Sequence, residues 1–103
     1  MDHADHVELL RDAVPPGGMW ADIGAGTGAF TLALADLLGP GGRIVAVDRD
    51  RNALAQNAEA GPARFPMVVV EVLVADFTQP SELPLLDGLV AAVVEYDANR
   101  GNQ

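Results

Sequence analysis

The stretch Gly24-Ala25-Gly26-Thr27-Gly28 constrains this chain more than any other part of it. The mostly apolar run Met19 to Ile23 leads into it, and Phe30, Leu34, Leu37 and Leu38 recur at helical spacing behind it until Gly39-Pro40-Gly41-Gly42. A strand that breaks on glycines and reopens as a helix lets the backbone approach a ligand closely, and the helix start supplies unpaired N–H donors. The remainder is built in the same alternation. Residues 5–14 predict a leading amphipathic helix, with Val7, Leu10 and Val14 on one face, stopped by Pro15-Pro16-Gly17-Gly18. Residues 43–47 predict a second strand closed by Asp48, and 52–60 an Ala-rich helix that stops at Gly61-Pro62. Residues 67–75 predict a third strand, apolar on both faces apart from Glu71, as a sheet covered on both sides requires. A crossover with Pro80 and Pro84 is too short for a helix, and 89–94 predict the last strong strand. Strands alternating with helices specify a parallel sheet with right-handed crossovers.

The chain has 103 residues, enough for one small domain, expected to hold its core over 14–97 with a polar tail over 98–103. Half of it is hydrophobic but only 5% aromatic, so the core is built from aliphatic side chains. Six Lys and Arg against fifteen Asp and Glu leave a formal net charge of −9, which argues against holding a nucleic-acid backbone by bulk charge. Without cysteine, disulfides, thiolate catalysis and Cys-ligated metals are excluded. No apolar run approaches a membrane span and no signal-type segment opens the chain, so a cytoplasmic location is expected. His3 and His6 are only two candidate metal ligands; they are expected to be exposed, and no metal is expected. Trp20, at the start of the first strand, is expected in the core.

Asp48 gives the glycine turn its chemistry. It stands twenty residues after Gly28 at the end of the second strand, where a carboxylate can accept both hydroxyls of a ribose. Two ligands fit this pattern. Gly24 to Ala29 also satisfies the G-x-G-x-x-A form of dinucleotide sites, so NAD is one of them. Asp22, two residues before Gly24, favours the other: a carboxylate there repels a pyrophosphate and attracts an ammonium group. S-adenosylmethionine carries that ammonium, a sulfonium and no phosphate. Asp76-Phe77 after the third strand suits the same molecule, the acid accepting from the adenine amine and the ring packing on the base.

Trp20-Ala21-Asp22-Ile23-Gly24-Ala25-Gly26-Thr27-Gly28 resembles the first motif of class I S-adenosylmethionine-dependent methyltransferases. Val47-Asp48 is similar to their ribose-binding acid, Ala75-Asp76-Phe77 to their adenine-side acid, and Leu83-Pro84-Leu85-Leu86-Asp87-Gly88 to the approach to their fourth strand. The resemblance implies an α/β Rossmann-like parallel sheet in the order 3-2-1-4, helices mainly on one face, and S-adenosylmethionine as cofactor. It implies a binding set of Asp22, Gly24, Ala25, Gly26, Gly28, Asp48, Asp76 and Phe77, with Asp22 and Gly24 at the methionine end; Arg49, next to Asp48, is added as a candidate contact to the adenosine. Arg49, Asp50 and Arg51 otherwise read as a solvated loop.

The chain departs from the family after Gly88. Leu89-Val90-Ala91 runs directly into Val93-Val94-Glu95-Tyr96-Asp97, an ending more like the family's fifth strand than its fourth, as if an internal deletion had joined the two. The substrate-binding elements are then largely missing, and no catalytic residue is assigned. Glu95, Tyr96 and Asp97 offer a general base or, more simply, solvated strand-end residues. Two alternatives stand beside methyl transfer: an NAD-type module, and a non-catalytic remnant that self-associates. A dimer is expected, because a sheet stripped of its later helices leaves one apolar face bare.

Overall fold

Parallel pairing organises the molecule: the computed structural model, described over residues 2–75 and 88–91, holds a four-stranded sheet in the order β3-β2-β1-β4. The strands are β1 (Met19–Ile23), β2 (Arg43–Asp48), β3 (Val69–Val74) and β4 (Gly88–Ala91). A helix precedes each of the first three strands: α1 (His3–Leu10), α2 (Ala29–Leu38) and α3 (Arg51–Arg64). In register, Trp20 lies beside Ile44 and Gly88, and Val47 beside Ile23 and Leu73.

Period-two alternation sends Trp20 and Ile44 to the face that α2 covers, where they pack with Val14, Leu34, Ala35, Leu38 and Val68. Ala46 continues that face under α3, packed with Leu54 and Ala25. Trp20 is thus a core residue, as its position in the sequence suggests.

The leading helix begins earlier and ends sooner than its apolar spacing indicates. Asp2 accepts from the Asp5 backbone N–H at 3.0 Å while Asp5 accepts from the Asp2 N–H at 3.1 Å, a reciprocal cap that starts α1 at His3. The Asp5 N–H, above all, holds the Asp2 carboxyl below the usual carboxylate range. The chain leaves the helix after Leu10, yet Val14 still reaches the core. Neither histidine stands free in solvent. His3 Nε2 lies 2.9 Å from Asp36 on α2 and its ring stacks with Phe65, while His6 meets Phe30 edge-on at 4.7 Å.

The helix α3 runs through the expected stop. Gly61 and Pro62 fall inside it, and it closes only when the Phe65 N–H reaches the Gly61 carbonyl at 2.8 Å. Close packing explains the extension: a Cβ at Gly61 would stand 3.1 Å from Val70 Cγ2, so glycine lets the helix lie directly on β3. Asp50 is not merely loop, since its side chain caps α3 by accepting from the Ala53 N–H.

The third strand is not covered on both sides. Val69, Val72, Leu73 and Val74 are 40–47% exposed, because β3 is an edge of the described sheet. By contrast Ala21, Val45 and Val47, on the two middle strands, are 0, 9 and 1% exposed. The expected bare face is therefore restricted to β3. No helix among the described residues is long and apolar enough to cross a membrane.

Candidate functional site

The site forms at the carboxyl ends of β1 and β2, where ligands of open α/β sheets bind. Val47 on β2 accepts from both the Gly24 and Ala25 N–H groups, at 2.7 and 2.9 Å, so the glycine turn is folded down against the neighbouring strand. The Gly28 N–H then returns to the Ala25 carbonyl at 3.2 Å. Gly26 and Gly28 adopt φ of +57° and +112°, conformations that side chains resist. They differ in what lies above them. A Cβ at Gly28 would meet Asn57 Cγ at 3.2 Å, whereas one at Gly26 would find nothing within 4 Å. The space over Gly26 is open, as close approach by a ligand requires.

Asp48 grips this turn. Its Oδ2 accepts from the Gly26 N–H and its Oδ1 from the Asp50 N–H, both at 2.8 Å. An ionised carboxylate has about four lone-pair sites, so two direct bonds leave acceptor capacity for a ligand's hydroxyls. Asp48 is half-buried at the strand end, between the turn and the start of α3. Just beyond Gly28, α2 begins without a side-chain cap and without an acidic residue in its first turn. Its first N–H groups and the positive end of its dipole favour an anionic ligand group such as a carboxylate.

Asp22 lies beneath the turn rather than in it. It is 3% exposed, and its Oδ2 accepts from the Thr31 hydroxyl at 2.7 Å. Asn57 Nδ2, from α3, donates to Thr31 Oγ1 at 2.9 Å and lies 3.4 Å from the Gly26 carbonyl. The structure thus brings Asp22, Gly24, Ala25, Gly26, Gly28 and Asp48 together. Arg49 is exposed beside Asp48. Asp76, Phe77, Glu95, Tyr96 and Asp97 lie outside the described residues. Among the described residues, no three or more His, Asp or Glu side chains gather as a group able to hold a metal.

Thr31 and Asn57 are the members that sequence reading passes over. The signal for Asn57 was present: Leu54, Asn57 and Gly61 form the buried stripe of α3, and one of the three is polar. Thr31 sits in the buried stripe of α2 among Ala33, Leu34 and Ala35.

Known proteins share this fold. A family model described as a methyltransferase domain matches residues 21–99. The ribosomal RNA small subunit methyltransferase H of Acidobacterium capsulatum is 36% identical over 123 aligned residues, which take in 98% of this chain and 40% of that protein. Coclaurine N-methyltransferase, solved with N-methylheliamine and SAH, superposes with a TM-score of 0.71 at 25% identity, over 86% of this chain and 26% of the other. TrmN from Thermus thermophilus superposes with a TM-score of 0.68 at 30% identity, again over 86% of this chain and 26% of the other. The chain thus spans well under half the length of these relatives.

Proposed function

The chain belongs to the class I S-adenosylmethionine-dependent methyltransferases, and from that premise we propose that its glycine turn, Asp48 and the start of α2 bind S-adenosylmethionine for methyl transfer. The observation that carries the reading is Asp48, whose two oxygens clamp the Gly26 and Asp50 N–H groups beside the open space over Gly26. In this reading Asp48 accepts from the ribose hydroxyls, and Gly24, Ala25, Gly26 and Gly28 let the ligand lie against the backbone. The uncapped α2 start receives the methionine carboxylate, Asp22 favours the ammonium group from beneath the turn, and Arg49 borders the adenosine. Asp76 and Phe77 complete the adenine side.

When bound, the cofactor supplies an electrophilic methyl group for in-line displacement by an acceptor, a reaction that depends on positioning and exclusion of water. The residues described here bind and orient; none is assigned as a base. A ribosomal RNA acceptor, as in the relative's name, sits poorly with a net charge of −9. The second reading, NAD, is favoured only by the G-x-G-x-x-A spacing of Gly24, Gly26 and Ala29, and Asp22 opposes it. Titration calorimetry with S-adenosylhomocysteine and NAD decides between them. S-adenosylhomocysteine is expected to bind at least about tenfold more tightly, about 1.4 kcal/mol. Tighter binding of NAD, or no binding of either, would overturn the proposal.

A further inference from the structure

We propose that Asn57 and Thr31 are positioning residues for the adenosyl ligand, setting the glycine turn from α3 and α2; this rests on the reading of the turn as the S-adenosylmethionine site. The two side chains form one buried line from Asp22, beneath that turn, to the Gly26 carbonyl within it. Asn57 and Thr31 are each 1% exposed. Thr31 donates its single hydroxyl proton to Asp22, so toward Asn57 it can only accept. That fixes the amide of Asn57, with Nδ2 turned to Thr31 and toward the Gly26 carbonyl. Gly26 is then held on both sides, its N–H by Asp48 and its C=O by Asn57. Asn57 Cγ also fills the space into which a Cβ on Gly28 would project.

Packing alone does not explain an asparagine here. With the amide fixed in this direction, Oδ1 is buried and has no hydrogen-bond partner among the described residues. An unpaired buried carbonyl is destabilising, and an apolar residue in the Leu54–Gly61 stripe would avoid it. What the asparagine supplies is direction: a donor aimed at the Gly26 carbonyl and at the hydroxyl that orients Asp22. Groups one layer behind a ligand that lock those touching it set binding geometry in this way.

The test uses Asn57→Ala, the isosteric Thr31→Val and the conservative Thr31→Ser in the full chain. Each is assayed by calorimetry with S-adenosylhomocysteine at a temperature where circular dichroism shows it folded, and amide exchange of Gly26 is followed without ligand. Asn57→Ala and Thr31→Val are expected to weaken binding about tenfold and to speed Gly26 exchange, while Thr31→Ser stays within about twofold of the parent. Parent-like affinity and exchange in both disruptive variants would overturn the inference. If Asn57→Ala does not fold, Thr31→Val against Thr31→Ser decides. If the parent itself fails to bind, the S-adenosylmethionine reading falls, and unchanged Gly26 exchange would remove the positioning role as well.

Discussion

Asp48, Gly26 and Gly28 divide the work of the site residue by residue. Asp48 is both a clamp on the free turn and the proposed ribose acceptor. Replacing it by Ala removes charge-assisted acceptors of about 1.5–3 kcal/mol each, so affinity for S-adenosylhomocysteine is expected to fall roughly ten- to hundredfold, read by calorimetry. An unaltered affinity would remove Asp48 from the site. The glycines make a sharper pair. Gly28→Ala puts a Cβ 3.2 Å from Asn57 Cγ in a backbone conformation with φ of +112°, so it is expected to lower stability by about 1–3 kcal/mol in denaturant unfolding. Gly26→Ala meets no protein atom within 4 Å and carries only the backbone penalty, about 1–2 kcal/mol. Its larger effect is expected on binding, because the new methyl occupies the space left for the ligand. Equal losses of affinity in the two variants, after allowing for their stabilities, would contradict that division.

At the scale of elements, α3 shows where local rules and tertiary packing part company. Pro62 forgoes a helical N–H and crowds the preceding turn, yet the helix continues to Arg64. Since Pro62 is exposed, Pro62→Ala is expected to raise stability by about 1 kcal/mol, with part of the helical gain offset by a freer unfolded chain. A lower unfolding midpoint would show that the proline is already accommodated. The same helix shows how far local sequence determines structure. The strand, turn and helix around Gly24 to Gly28 were legible because period-two and helical spacing meet at glycines, and Asp48 because a strand end fixes where its side chain stands. The end of α3 was not legible: Gly61-Pro62 is a stop by local chemistry, and only contact with Val70 reveals the glycine as a packing device. Nor was the line from Asp22 through Thr31 to Asn57, which joins three elements across a distance that no spacing encodes. The apolar residues of β3 misled in the opposite direction, since a run that reads as fully covered also describes an edge strand.

At the scale of the whole molecule, β3 is an edge of the described sheet. Val69, Val72, Leu73 and Val74 expose apolar side chains on both sides of β3, while the neighbouring β2 is buried from Ile44 to Val47. An apolar edge strand is in general a template for another strand, and natural edges usually carry charge or proline to prevent this. Here Glu71 is the only charged residue in β3, and it already lies 3.4 Å from Arg43. We propose that two copies associate through β3 about a two-fold axis, which pairs the strands antiparallel and brings Val69 and Leu73 of the two copies together. Opposing this is repulsion between copies that each carry −9, screened as salt rises because the Debye length shortens from about 10 Å at 0.1 M to about 3 Å at 1 M. Association is therefore expected to strengthen with salt, the reverse of what an ion-paired interface would show. Light scattering at micromolar concentration should give a mass above that of the 10.7 kDa chain, rising between low and high salt. Leu73→Lys should return it to monomer without loss of folding, since Leu73 is 43% exposed. A monomer at both salt concentrations, or a Leu73→Lys variant that associates as the parent does, would place β3 outside any interface.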